Sequence, residues 1–110
     1  MNHPLEGTNG QLMVMAAHRY CLGRSSYIVG SCVDWLIAHK SKFEQNTINV
    51  ILRDTIDALI SSRAGMSCDV DSWTHLCNVW WKDLDEESKR WVRNQTTQPN
   101  NERPWPLNSS

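Results

Sequence analysis

Apolar residues recur along this chain at the three-and-four spacing of α-helices, interrupted by short polar stretches, and the pattern predicts an all-α domain of four to five helices. The organising stretch is residues 18–39, HRYCLGRSSYIVGSCVDWLIAH. At about 100° per residue, Ile28, Val29, Cys32, Val33, Trp35, Leu36, Ile37 and His39 cover an arc of roughly 200°. Only Tyr27, Ser31, Asp34 and Ala38 leave a narrow polar or small strip. A helix this apolar must be covered from several sides, so residues 26–40 are expected to form a central helix with the others packed around it.

The flanking elements follow from local signals. Ahead of the central helix, Met13, Val14, Ala17, Tyr20 and Cys21 share a face, with Asn9 placed to cap that helix and Gly23 to end it. Apolar residues are nearly continuous over 12–17, so a strand competes there, and the alanines and methionines favour helix. Ser25 or Ser26 caps the central helix. Gly30 inside it requires either a close helix crossing or a bend. Ser41 with Glu44 has capping-box spacing and Asn46-Thr47 offers a second cap, placing the next boundary near Thr47. From Ile48, the residues Ile51, Leu52, Thr55, Ile56 and Leu59 form the cleanest amphipathic stripe, with Asn49, Arg53, Asp54 and Asp57 outward, and Gly65 stops it. Asp69 or Asp71 caps a further helix whose Trp73, Leu76, Cys77, Trp80 and Leu84 make a seam, with Trp81 at its edge. Asp85 starts a short last helix, with Glu86 and Glu87 in its first turn and Lys89, Arg90 and Arg93 later, the order favoured by the helix dipole. Its apolar face is essentially Trp91 and Val92.

Beyond residue 96 the sequence becomes polar and proline-containing, so residues 1–96 are expected to form one helical domain and 97–110 an extended or disordered tail. Trp105 in that tail either folds back onto the domain or stands exposed for recognition. A length of 110 residues suits a single core, and no apolar run approaches the ~20 residues of a membrane span. The first residues lack the pattern of a secretory signal, so a cytoplasmic location is expected, with Cys21, Cys32, Cys68 and Cys77 reduced. The formal charge is −1. With no basic stripe along the chain, direct nucleic-acid binding is not expected.

Three kinds of chemistry are worth weighing. His18, Cys21, His75 and Cys77, with Cys32 and Cys68 nearby in sequence, supply donors for a zinc site, but their spacing matches no standard knuckle, and a thiol on an apolar face is a small hydrophobe. No cofactor is therefore expected, zinc being the alternative. Cys21 with His18, or Cys77 with His75, would supply a thiol and a base for nucleophilic catalysis, but no motif supports that geometry, and the chain is not expected to be an enzyme. Arg19, Arg24, Ser25 and Ser26 gather at a helix start where an anion is attracted. The tryptophans weigh most: six in 110 residues exceed what one small core holds, so some should stand near the surface as interface anchors. The candidate partner-binding residues are Trp81, Asp83, Glu86, Glu87, Trp91, Arg19, Arg24 and Tyr27.

The segment RYCLGRSSYIVGSCVDWL, with the following TINVILRD, resembles small bacteriophage and prophage accessory proteins that carry RY-x-LGR-x-(S/T)Y-x-V before an apolar helix. The likeness covers residues 15–54 and rests on Arg19, Tyr20, Leu22, Gly23, Arg24, Ser26, Tyr27 and Val29. It implies a phage-encoded protein acting by protein–protein binding on a host protein, CRISPR-Cas and other defence complexes included, as an anti-CRISPR does. A nucleic-acid-binding host effector would suit the acidic turn at 83–87. A small zinc-stabilised or nucleic-acid-associated regulator is the alternative.

Overall fold

The computed structural model describes residues 7–22, 26–60 and 67–96. Expectations for Gly23, Arg24, Ser25, Gly65 and the tail with Trp105 fall outside these residues, as do those for the side chains of Ser26, Tyr27, Cys68 and Asp69. Among the described residues five α-helices follow one another: α1 (Gly7–Leu22), α2 (Ser26–Ala38), α3 (Gln45–Ile60), α4 (Ser67–Trp80) and α5 (Glu86–Thr96). Short 3₁₀ turns at Lys40–Lys42 and Trp81–Asp83 link α2 to α3 and α4 to α5. The fold is all-α, and the ambiguous stretch 12–17 is helical.

Side-chain pairs set the directions. Gln11 meets Thr47 and His18 meets Thr55, so α1 and α3 run parallel. Asp85 meets Asn49 and Ser88 meets Arg53, which aligns α5 with them. The short turns reverse the chain between α2 and α3 and between α4 and α5, so α2 and α4 run the opposite way. α2 packs on α4 and α1, while α3 touches α1, α4 and α5. The core lies between them: Val14 and Leu22 from α1, Val29, Val33 and Leu36 from α2, Ile51, Leu52 and Ile56 from α3, Trp73, Leu76, Cys77 and Trp80 from α4, and Val92 from α5. Each of the aliphatic side chains contributes about 1.5–3 kcal/mol through burial.

Element starts differ from expectation where a better local solution exists. Gly7 adopts a φ of 84° at the head of α1, two residues before Asn9, which lies inside the helix. α3 starts at Gln45 rather than near Thr47, because the Thr47 hydroxyl is spent in the core and donates to Gln11 Oε1. Ser41 sits within the 3₁₀ turn. α4 begins at Ser67, so Asp71 lies inside it rather than capping it. Asp85 does cap α5: its Oδ1 accepts the Ser88 N–H at 2.8 Å, and this bond, with the Ser88 hydroxyl and Asn49, holds the Asp85 carboxyl below the usual range. No atom lies within 4 Å of where a Cβ on Gly30 would stand, so no close helix crossing explains that glycine.

The largest departure is the face of α1. Met13, Ala17 and Tyr20 were expected to face inward with Val14; instead Gln11, Val14, His18 and Leu22 are buried, and Met13, Ala17 and Tyr20 are exposed. The polar pair goes inside because α3 supplies its hydrogen bonds. Gln11 Nε2 donates to the Lys42 carbonyl at 3.0 Å, while its Oε1 accepts the Glu44 N–H at 3.0 Å and the Thr47 hydroxyl. The Thr55 hydroxyl donates to the Ile51 carbonyl at 2.7 Å and accepts from His18 Nε2–H, also at 2.7 Å. These bonds offset most of the cost of burying the polar face, while His18 Nδ1 is buried without a partner among the described residues.

Candidate interaction surface

The acidic turn and its tryptophans form the first place to look for a partner. The structure draws most of them into the fold. Trp81 is 8% exposed, with the Arg93 guanidinium 5.7 Å from its ring, so the expectation that it stands near the surface is corrected. Trp81 opens the 3₁₀ turn that follows α4 and belongs to the buried core cluster. Trp91 is half-buried under the Arg53 guanidinium at 5.3 Å. Asp83 pairs with Lys40 at 3.0 Å, and Glu86 with Lys89 at 3.8 Å. Glu86 and Glu87 are exposed. Gln45 donates to the Asp83 carbonyl at 2.7 Å and Asn49 to Asp85 at 2.9 Å, which ties the turn to the head of α3.

Among the described residues the potential metal ligands His18, Cys21, Cys32, His75 and Cys77 are not grouped together. His18 is in the core, edge-on to Trp73 with ring centroids 5.3 Å apart, and burial, aided by the Arg19 charge, pushes its pKa down to about 3. Cys21 lies between α1 and α2 against the Cys32 thiol; burial first, then that neighbour, pushes Cys32 up to about 12. Cys77 is fully buried and its thiol is pushed up by desolvation, whereas His75, two residues away, is exposed. Cys21, Cys32 and Cys77 are free thiols. Among the described residues no group of three His, Cys, Asp or Glu side chains is placed to hold a metal ion. Held protonated by burial, the Cys32 and Cys77 thiols are poor nucleophiles.

What the structure exposes instead lies on α1 and α2. The large apolar side chains left open among the described residues are Leu12, Met13 and Tyr20 at 55%, 68% and 59%, and Ile28 and Trp35 at 39% and 40%. The expectation that α2 is covered all round its apolar arc is corrected: Val29, Val33 and Leu36 are buried, but the Ile28 and Trp35 side is open. Trp35 stacks on His39 at 4.4 Å and lies 6.1 Å from Phe43, which holds its ring against the end of α2. Cys21 meets Cys32 between the two helices, and at helical spacing Ala17, Met13 and Tyr20 follow Cys21 round α1 while Ile28 and Trp35 flank Cys32 on α2, which sets them on the same side of the pair. Ala16 and Ala17 are exposed with them. At its edge Arg19 pairs with Asp54 at 3.4 Å. Sequence reasoning missed this site because it assigned Met13, Ala17 and Tyr20 to the core; the near-continuous apolar run at 12–17 was the signal that α1 has two apolar faces.

No family model, no curated protein and no solved structure matches this chain. Among the described residues no helix is long and apolar enough to cross a membrane.

Proposed function

We propose that this chain acts by protein–protein binding, with the outer face of α1 and α2 as its docking surface. The observation that carries the reading is that the large apolar side chains left exposed among the described residues, Leu12, Met13, Tyr20, Ile28 and Trp35, all belong to α1 and α2. Exposed apolar side chains scattered singly need no explanation, but a contiguous patch marks an interaction site. The resemblance over residues 15–54 includes α2 and the second half of α1, with Tyr20, Ile28 and Trp35 but not Leu12 or Met13, and it supports a phage-encoded accessory protein working in the host cytoplasm on a defence complex such as CRISPR-Cas, by binding rather than by catalysis. The exposed Glu86 and Glu87 remain available to steer a basic, nucleic-acid-binding effector towards the molecule.

The test is an interference assay in a bacterium with an active CRISPR-Cas system challenged by a targeted phage. Expression of the wild-type chain should restore plaques, and Met13→Glu or Tyr20→Asp should abolish that restoration while the purified variants melt as the wild type does. Plaques restored equally by both variants would remove the α1–α2 face from the mechanism. Failure of the wild-type chain against a panel of systems would remove the anti-CRISPR reading.

A further inference from the structure

The open face of α1 has the layout of half a symmetric helix pair. Around the helix axis Leu12, Ala16, Tyr20, Met13 and Ala17 fall within about 140° of one another, opposite the side that carries Gln11, Val14, His18 and Leu22 into the core. Ala16 sits at the midpoint, with Leu12 four residues before it and Tyr20 four after. Turning the stripe end for end about Ala16 sets Leu12 against Tyr20 of a second copy and Ala16 against Ala16. The small residues then lie where two backbones approach most closely, and the bulky ones fill the ends, as an isologous contact requires.

Charge and area point the same way. The stripe carries no ionised side chain, and Arg19 at its border is turned towards Asp54. A charged partner would find only the Arg19–Asp54 pair at the border to complement, whereas a second copy meets the uncharged stripe with its own. Leu12, Met13, Tyr20, Ile28 and Trp35, 39–68% exposed, together with Ala16 and Ala17 open on the order of 600 Å² of surface, polar atoms included, which is the size of a monomer's largest patch and reaches the low end of what one partner gives to a specific interface.

We propose that this face is the two-fold interface of a homodimer, in which α1 packs antiparallel on α1 of a second copy while Ile28 and Trp35 close its flank. The inference rests on the reading of this face as a docking surface and names its occupant. The dimer then displays two acidic turns, each with Glu86 and Glu87 exposed.

Sedimentation equilibrium of the full chain over a concentration series tests the proposal. The wild-type mass should rise from the 12.7 kDa of one chain towards twice that value. Ala16→Arg, which sets two like charges across the axis, and Met13→Glu should both stay at the mass of one chain, with unchanged melting at low concentration because both positions are exposed. Ala16→Cys, treated with oxidised glutathione, should form a disulfide-linked dimer in excess of the wild-type chain treated alike. A wild-type chain that stays monomeric at every concentration, or a dimer unaffected by both charged substitutions, would overturn the homodimer. If the wild type is monomeric and Met13→Glu still abolishes plaque restoration, the second copy is overturned and the docking face stands; if plaque restoration survives Met13→Glu, the docking face itself is overturned.

Discussion

Gln11 and His18 decide at the level of single atoms which side of α1 enters the core. Gln11 uses both ends of its amide, donating to the Lys42 carbonyl and accepting from the Glu44 N–H and the Thr47 hydroxyl. Gln11→Leu keeps the volume but orphans those groups, and should cost about 2–3 kcal/mol in urea unfolding, more than an ordinary surface change. His18 supplies the pH dependence. Its hydrogen bond to Thr55 uses Nε2–H, the neutral tautomer, and burial followed by the Arg19 charge lowers the pKa to about 3 from 6.5. Between those values the unfolded chain binds a proton that the folded chain refuses, so stability is full above about pH 6.5 and falls as the pH drops towards 3. At about 1.4 kcal/mol per unit, roughly 2 kcal/mol should be lost between pH 7 and 5. His18→Gln, less stable overall, should show a much flatter profile across that window, and an equal slope in both chains would move the effect elsewhere. Neither residue's role was legible beforehand. A polar residue on an amphipathic helix reads as outward unless its partner is known, and those partners lie 31–37 residues further along.

At the scale of elements, α3 and α4 follow their patterns closely. Ile51, Leu52, Thr55 and Ile56 are buried along α3, and Trp73, Leu76, Cys77, Trp80 and Leu84 along the seam that continues from α4. Leu36→Ala, Ile56→Ala and Leu76→Ala should each cost on the order of 2–5 kcal/mol, read as a large drop in melting temperature. Trp81 shows where extrapolating a helix fails: α4 ends at Trp80, and the 3₁₀ turn places Trp81 inside. Trp81→Ala should therefore destabilise the fold by about 3–5 kcal/mol rather than weaken a contact while leaving the fold intact, and an unchanged melting temperature would contradict its burial. The seam also holds a cost that composition did not reveal. Trp73 and Trp80 bury their indole N–H groups without a hydrogen-bond partner among the described residues. The packing gained by two large rings outweighs those lost bonds.

For the whole molecule, the balance between apolar side chains and available core decides what is left outside. Of the tryptophans among the described residues, Trp73, Trp80 and Trp81 are buried, Trp91 is half-buried and Trp35 alone stands open, so the surplus appears as Leu12, Met13, Tyr20, Ile28 and Trp35 on α1 and α2. An association made through that uncharged face should change little between low salt and about 0.5 M, whereas one made through Glu86 and Glu87 should weaken steeply as screening shortens the reach of charge. Sedimentation at the two ionic strengths separates them. By itself the sequence determined the helical class, the seam of α4, the amphipathic run of α3 and the cap at Asp85, because each depends on residues within a few turns of one another. Only the tertiary structure decided which of α1's two apolar faces went inside, how much of α2 stayed open and where Trp81 pointed. Those outcomes depend on Thr47, Thr55 and the 3₁₀ turn, whose effects arise only once distant segments meet.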